Sequence, residues 1–318
     1  MKFGFIIPHN FGLDDPDDVV NIGTTAEELG FDSVWVNHHI LNVGYIFDRL
    51  GSKPYYDAIT VLTWVAAHTE RVRLGTTVLV LPYLNPLVLA KTLATLDVMS
   101  RGRLDVGVGV GALKPESDAL GSVYGTRGRY TDESINIMRE LWTSEDPEYD
   151  GEFYSFSEVK FSPKPAQKPG PPILVGGISR PALRRAATLG DGWHPLRPSM
   201  TELADNIQVI RRIAMEARRD PSEIEVSVRT ELDVTDSPSD GEASTMIGTV
   251  DQLRSTIEQY EELGVSELVL SVSTNDVNRI LRTQDRFAEL VIRGFANPAN
   301  PPREATACTP QKTEDATN

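Results

Sequence analysis

Eight strand signals alternate with eight helix signals along this chain, and that alternation predicts a parallel (β/α)8 barrel with insertions after strand 4 and before strand 5. Two further observations agree. A length of 318 residues suits one barrel plus a tail, and a 40% apolar content is enough to fill its core. A doubly wound open sheet is the other fold built from such alternation, and it would need fewer strands or a second domain.

The strand signals are apolar, β-branched runs at residues 2–7, 33–36, 72–80, 104–110, 172–175, 192–194, 225–232 and 267–271. Helical periodicity covers 16–29, 57–68, 86–100, 131–142, 181–189, 201–219, 250–263 and 277–293. Asp57 precedes an apolar-periodic run, Pro86 and Pro181 suit first-turn positions, and Gly30, Gly190 and Gly264 follow final turns. Two connections, 112–129 and 144–171, are too long for plain turns. The second holds GEFYSF, which reads as a hairpin, and then the proline-rich SPKPAQKPGPP. The folded domain is expected over 1–296, with the polar, Pro- and Thr-rich 297–318 a disordered tail.

A formal charge of −15 sets a long-range field that repels nucleic acid and anionic membranes, so neither is an expected partner. Any anionic ligand must be held locally against that field. The one cysteine, Cys308, lies in the tail, which excludes a disulfide framework and speaks against a catalytic thiol. The opening MKFGFIIPHN turns polar too soon for a signal peptide, and no apolar run reaches transmembrane length. A soluble, cytoplasmic protein acting on a small-molecule substrate is the expectation.

Four motifs carry chemistry. In GVGVG, Gly107, Gly109 and Gly111 fall at period two and share one face of strand 4. Three glycines weaken a strand, so something must approach the backbone there: a flat ring, or a tight packing point inside the barrel. In LVGGIS, Gly176, Gly177, Ile178 and Ser179 lead from strand 5 into a helix beginning near Arg180, and amides at a helix start suit a phosphate. Arg180, Arg184 or Arg185 would add charge; a glycine turn before a solvated basic helix is the plain alternative. His38 and His39 follow strand 2 at the edge where barrel catalysis resides, and imidazole moves protons near neutral pH. Thr76, Thr77 and Val78 interrupt an aliphatic strand with hydroxyls that either satisfy neighbours or face a polar ring edge. His9 and His194 sit at strand ends and could line the pocket, while His68, Trp35 and Trp64 read as structural and Trp193 as either core or substrate wall. No metal site is expected, because no carboxylate accompanies the histidines at ligand spacing.

The segments ELGFDSVWVNHHI, TERVRLGTTVLVLPYLNPLVLAKTLATLDVMSRGRLDVGVGVG, GEFYSFSEVKFSPKPAQKP and PPILVGGISRPALRRAATLGDGWHP resemble the bacterial luciferase-like monooxygenase superfamily, in its coenzyme F420-dependent oxidoreductase branch. They cover most of 1–200, with weaker correspondence to about 295. The resemblance implies a TIM barrel with the cofactor ring in its mouth. It also implies a non-prolyl cis peptide among Thr76, Thr77 and Val78, glycine segments 107–111 and 176–179 around the cofactor, and His39 as the proton donor or acceptor, with His38 beside it. It implies hydride transfer between coenzyme F420 and an organic substrate. FMN with a monooxygenase reaction is the alternative, a non-catalytic flavin-binding protein a second one, and a homodimer the usual assembly. Two departures stand out. The family's acidic residue before the histidine is His38 here. The glutamate that follows the glycine strand in sugar-phosphate dehydrogenases is Ala112, with Pro115 in place of an asparagine, which implies another substrate.

Overall fold

The structure, a computed structural model, describes residues 1–241 and 244–295. The expected tail and Cys308 lie outside the described residues. Eight parallel strands close into a barrel: β1 (Lys2–Ile6), β2 (Ser33–Val36), β3 (Arg73–Thr76), β4 (Leu104–Gly109), β5 (Ile173–Gly176), β6 (Gly192–His194), β7 (Glu225–Val234) and β8 (Glu267–Ser271). Each pairs with the next, and β8 pairs with β1 to complete the ring. Eight main helices surround it: α1 (Pro16–Leu29), α2 (Ala58–His68), α3 (Pro86–Met99), α4 (Arg127–Thr143), α5 (Arg180–Thr188), α6 (Met200–Glu216), α7 (Val250–Glu262) and α8 (Val277–Phe287).

The start signals work as read. Asp57 Oδ1 accepts from the Thr60 amide at 2.8 Å, Asn85 accepts from the Leu87 and Val88 amides ahead of Pro86, and Gly30 closes α1 in the left-handed region at φ 92°. Period two along each strand then divides the core. Phe3, Phe5, Val34, Val36, Val106 and Val108 face outward into the shell between sheet and helices. Ile6, Trp35, Leu174 and Val269 form a separate small cluster inside the barrel.

Trp35 is the largest member of that inner cluster, fully buried and bonded through Nε1–H to Ser33 Oγ at 2.6 Å. Its indole occupies the space that a side chain at Gly75 would need, and a Cβ at Gly4 would lie 2.6 Å from its Nε1. The indole therefore plugs the barrel, and the residues one strand-turn higher become the floor of whatever lies above.

Four features depart from the sequence reading. Residues 72–80 are not one strand: β3 stops at Thr76, a cis peptide joins Thr77 to Val78, and Leu79–Val80 resumes pairing with β4. Two short helices, Tyr45–Leu50 and Lys114–Ala119, occupy connections where periodicity over six residues is too brief to detect. A strand at Met246–Gly248 pairs with the end of β7, outside the ring. The last helical run changes to a π turn at Ala288–Ile292.

Candidate active site

Above Trp35, at the C-terminal ends of the strands, a cleft of about 540 Å³ opens. Beneath it, outside the cleft lining, lies His194, whose ring stacks on Trp35 with centroids 5.0 Å apart and planes 8° from parallel. His194 Nδ1 meets Ser227 Oγ at 2.7 Å and Nε2 meets Thr77 Oγ1 at 2.9 Å. Burial lowers its pKa to about 3, so the ring is neutral and fixes Thr77 rather than carrying charge.

The glycines of β4 do their first service to the neighbouring strand. A Cβ at Gly107 would run into the Thr76 carbonyl oxygen, and one at Gly109 would lie 2.6 Å from Val78 Cγ2. Gly111 has φ 75° and its Cβ would lie 2.7 Å from Val80 Cγ1. The expected packing point is therefore what Gly107 makes, because β3 bulges toward β4 at Thr77–Val78. Gly109 and Gly111 line the cleft together with Val78, Gly176 and Gly177; Gly107 does not. The bare stripe lets the bulge sit close, and the bulge, with Val78 foremost, forms the cleft wall.

His39 is the titratable group best placed for proton chemistry. Its Nδ1–H donates to Glu116 Oε2 at 2.6 Å, while Glu116 Oε1 accepts from the amides of Ile40 at 2.7 Å and Leu41 at 3.1 Å. The His39 side chain keeps 17% exposure toward the cleft and Glu116 keeps none. Burial pushes the Glu116 carboxyl upward, but the bonds from His39 and the two amides outweigh it and leave the pKa below its ordinary value. The carboxylate thus fixes one tautomer and leaves Nε2 facing Tyr45, whose hydroxyl lies 3.2 Å away.

His38 has a different character. The Val80 amide donates to its Nδ1 at 3.1 Å, which leaves the proton on Nε2, and burial lowers its pKa to about 4. It lines the cleft as a neutral hydrogen-bond donor.

The remaining expected site residues divide. Thr77 and Val78 line the cleft, but Thr76 is fully buried and its hydroxyl donates to the Gly107 carbonyl at 2.8 Å. Ile178, Ser179 and Arg180 are exposed just beyond the rim, outside the cleft lining. Ser179 begins α5 without a side-chain cap bond. Arg180 and Arg184 border a shallow groove between α5 and α6, whereas Arg185 is buried and paired with Asp132, which removes it as a ligand group. His9 is buried, with each ring nitrogen 3.0 Å from a carbonyl oxygen. Trp193 is core, its Nε1–H donating to the Gly177 carbonyl at 2.8 Å. Among the described residues no three His, Cys, Asp or Glu side chains converge as a metal site.

Several lining residues escaped the sequence reading: Asn10, Asn37, Tyr45, Arg49, Tyr55, Arg197 and Arg229. For Arg229 a signal existed, since a charge at the centre of an apolar strand has to be paired or put to use. Glu116 offered none, because nothing in the chain links it to a histidine 77 positions away.

A family model for luciferase-like monooxygenases matches residues 1–244. The chain belongs to that family. Its luciferase-like barrel is similar to the crystal structure of monooxygenase RslO1 from Streptomyces bottropensis, with a TM-score of 0.80 and 26% identity over 93% of this chain and 100% of that one. Among curated luciferase-like relatives, an F420-dependent glucose-6-phosphate dehydrogenase of Amycolatopsis mediterranei (strain U-32) is 35% identical over 182 residues, which is 56% of this chain and 53% of the relative. An FMNH(2)-dependent dimethylsulfone monooxygenase of Pseudomonas putida is 31% identical over 172 residues, 53% of this chain and 45% of the relative. The chain thus spans about half the length of these curated relatives. Members of this family are oxidoreductases and monooxygenases, and both deazaflavin and flavin users occur among the relatives. No helix of the described residues is long and apolar enough to cross a membrane.

Proposed function

We propose that this luciferase-like protein is a coenzyme F420-dependent oxidoreductase that moves a hydride between the deazaflavin and a small organic substrate. The observation that carries the reading is the His39–Glu116 pair at the cleft edge. A dehydrogenase needs a place for the proton that accompanies its hydride, and this pair supplies one.

The residues present fit such a cofactor. A cleft of about 540 Å³ lies within the range of ligand pockets and is walled by Val78 and by glycines on β4 and β5. At its β5 edge, Gly176 and Gly177 lead to the uncapped start of α5, with Arg180 alongside, which suits the cofactor's phosphate. Bound F420 supplies a two-electron hydride acceptor or donor. The chain's own share is the proton. His39 Nε2 takes it from the substrate heteroatom, displacing the Tyr45 hydroxyl, and Glu116 stabilises the imidazolium that results. In the reverse direction the imidazolium returns it.

The second reading is an FMN-dependent monooxygenase, which the dimethylsulfone monooxygenase and RslO1 likenesses favour. Parallel fluorescence titrations with F420 and FMN, followed by oxygen-uptake measurement with reduced FMN, separate the two. Tighter F420 binding without oxygen uptake is the expected result. Preference for FMN together with substrate-dependent oxygen consumption would overturn it in favour of the monooxygenase.

A further inference from the structure

The cleft is lined by three arginines, Arg49, Arg197 and Arg229, and by no carboxylate, in a chain whose formal charge is −15. Among the described residues no Asp or Glu lines the cleft where those cations gather. Arg229 is the deepest case. Its Nη1 donates to Asn37 Oδ1 at 2.5 Å and reaches the Thr77 carbonyl at 3.3 Å, both neutral acceptors. Among the described residues no Asp or Glu forms an ion pair with it; Glu231, two positions on, acts on it only at a distance and accepts from Ser271 and Ser273. Its Nε–H is shielded from solvent and has no hydrogen-bond partner among the described residues. The Tyr55 hydroxyl, lining the same cleft, is likewise buried and unpartnered.

A largely buried cation whose direct partners are all neutral is costly, and an unmade bond from a buried donor adds to the cost. Two such donors in one cleft describe a place kept for an acceptor that the chain itself does not provide. Location separates it from the phosphate position. Arg229 stands on β7 and Asn37 follows β2, flanking β8 and β1, whereas Gly109, Gly176 and α5 belong to the β4–β5 side of the ring.

We propose that Arg229 and Tyr55, with Arg49 at the rim, form a subsite for a compact oxyanion carried by the substrate, so that the substrate class is a small carboxylate-bearing molecule. This rests on reading the cleft as a shared cofactor and substrate site. Arg229 supplies the charge and its free Nε–H, and Tyr55 supplies a hydroxyl donor to the second oxygen. Held there, the substrate lies beside His39, whose ring is 6.0 Å from that of Tyr55.

The test uses cofactor-free protein at constant ionic strength, with benzoate as probe and benzamide as its neutral counterpart, followed by calorimetric titration. Benzoate should bind at least about tenfold more tightly than benzamide, as expected for a charge-assisted pair. Arg229→Gln should abolish that preference. Because Arg229 also braces Asn37 and Thr77, Tyr55→Phe is the second variant: it removes only an unpartnered hydroxyl, should fold as the parent does, and should weaken benzoate about five- to tenfold without touching benzamide. Equal affinity for both probes, or unchanged benzoate binding in Tyr55→Phe and Arg229→Gln alike, overturns the proposal. A repeat with F420-loaded protein should retain benzoate binding; competition between the two would assign Arg229 to the cofactor and overturn the substrate class. Since the first titrations contain no cofactor, failure of F420 to bind leaves their outcome standing.

Discussion

His39 and Glu116 are joined by a 2.6 Å hydrogen bond across 77 residues of chain, and each explains the other. A buried carboxylate needs donors, and it receives three: the imidazole and the amides of Ile40 and Leu41. An imidazole with one nitrogen committed to a carboxylate keeps the other for the substrate. His39→Ala should bind F420 with near-parental affinity and lose about a hundredfold or more in turnover, the usual loss for a general acid–base group. Glu116 touches the imidazole and not the cleft, so it is a positioning residue. Glu116→Gln should lower kcat by about ten- to a hundredfold with KM little changed, as outer partners of functional histidines do. Steady-state kinetics with a turned-over substrate decide both, and parental kcat in either variant would take that residue out of the mechanism. His38, adjacent in sequence, is held neutral by burial and by the Val80 amide and takes no part in proton exchange at neutral pH.

At the scale of elements, β3 and β4 form one device. The bulge at Thr77–Val78 projects into the cleft because β4 presents hydrogen atoms where side chains would stand. The two inward glycines answer to different neighbours, and this separates stability from binding. A methyl at Gly107 would meet backbone, which cannot turn aside, so Gly107→Ala should destabilise the fold by about 1–3 kcal/mol or more. A methyl at Gly109 would meet the end of Val78, which can rotate at modest cost while reshaping the cleft wall. Gly109→Ala should therefore lose less stability than Gly107→Ala but bind cofactor more weakly. Urea unfolding and cofactor titration of both variants test this ordering, and a Gly107→Ala protein as stable as the parent would refute the close approach of β3.

For the whole molecule, buried imidazoles tie stability to pH. Burial holds His9 and His38 at about 4 and His194 at about 3, against 6.5 in the unfolded chain. Between those values the unfolded chain binds more protons, so stability is complete above 6.5 and falls as pH drops through the window. Glu267 acts in the opposite sense. Burial raises its pKa from 4.5 to about 7, only partly offset by the Ser33 hydroxyl, and stability is lost as pH rises through that interval. Burial raises Asp105 in the same sense, and the three imidazoles, whose window lies at 6.5 and below, still leave a net loss of stability on acidification between pH 6.5 and 5. Glu267→Gln should stabilise the protein at pH 8 by about 1–3 kcal/mol, allowing for its partial exposure, and by nothing at pH 4. Denaturant titrations across this range show the trend, and stability that rises toward pH 5 would contradict it.

Fold and chemistry were legible in the chain to different depths. The βα alternation, the caps at Asp57, Pro86 and Gly30, and the glycine spacing of β4 are local properties written at fixed intervals, so the barrel, its order and the cleft's glycine wall follow from them. The break in β3 after Thr76 was not legible in the periodicity of 72–80; only the family resemblance pointed to a cis peptide there. What required the folded ring was every pairing between distant strands. Glu116 reaches His39 only because the loop after β4 crosses to the end of β2. Arg229 reads as one charge in a strand until closure turns it inward beside Asn37 and Tyr55. The reason is geometric: periodicity states which face a residue occupies, whereas barrel closure alone decides which faces meet.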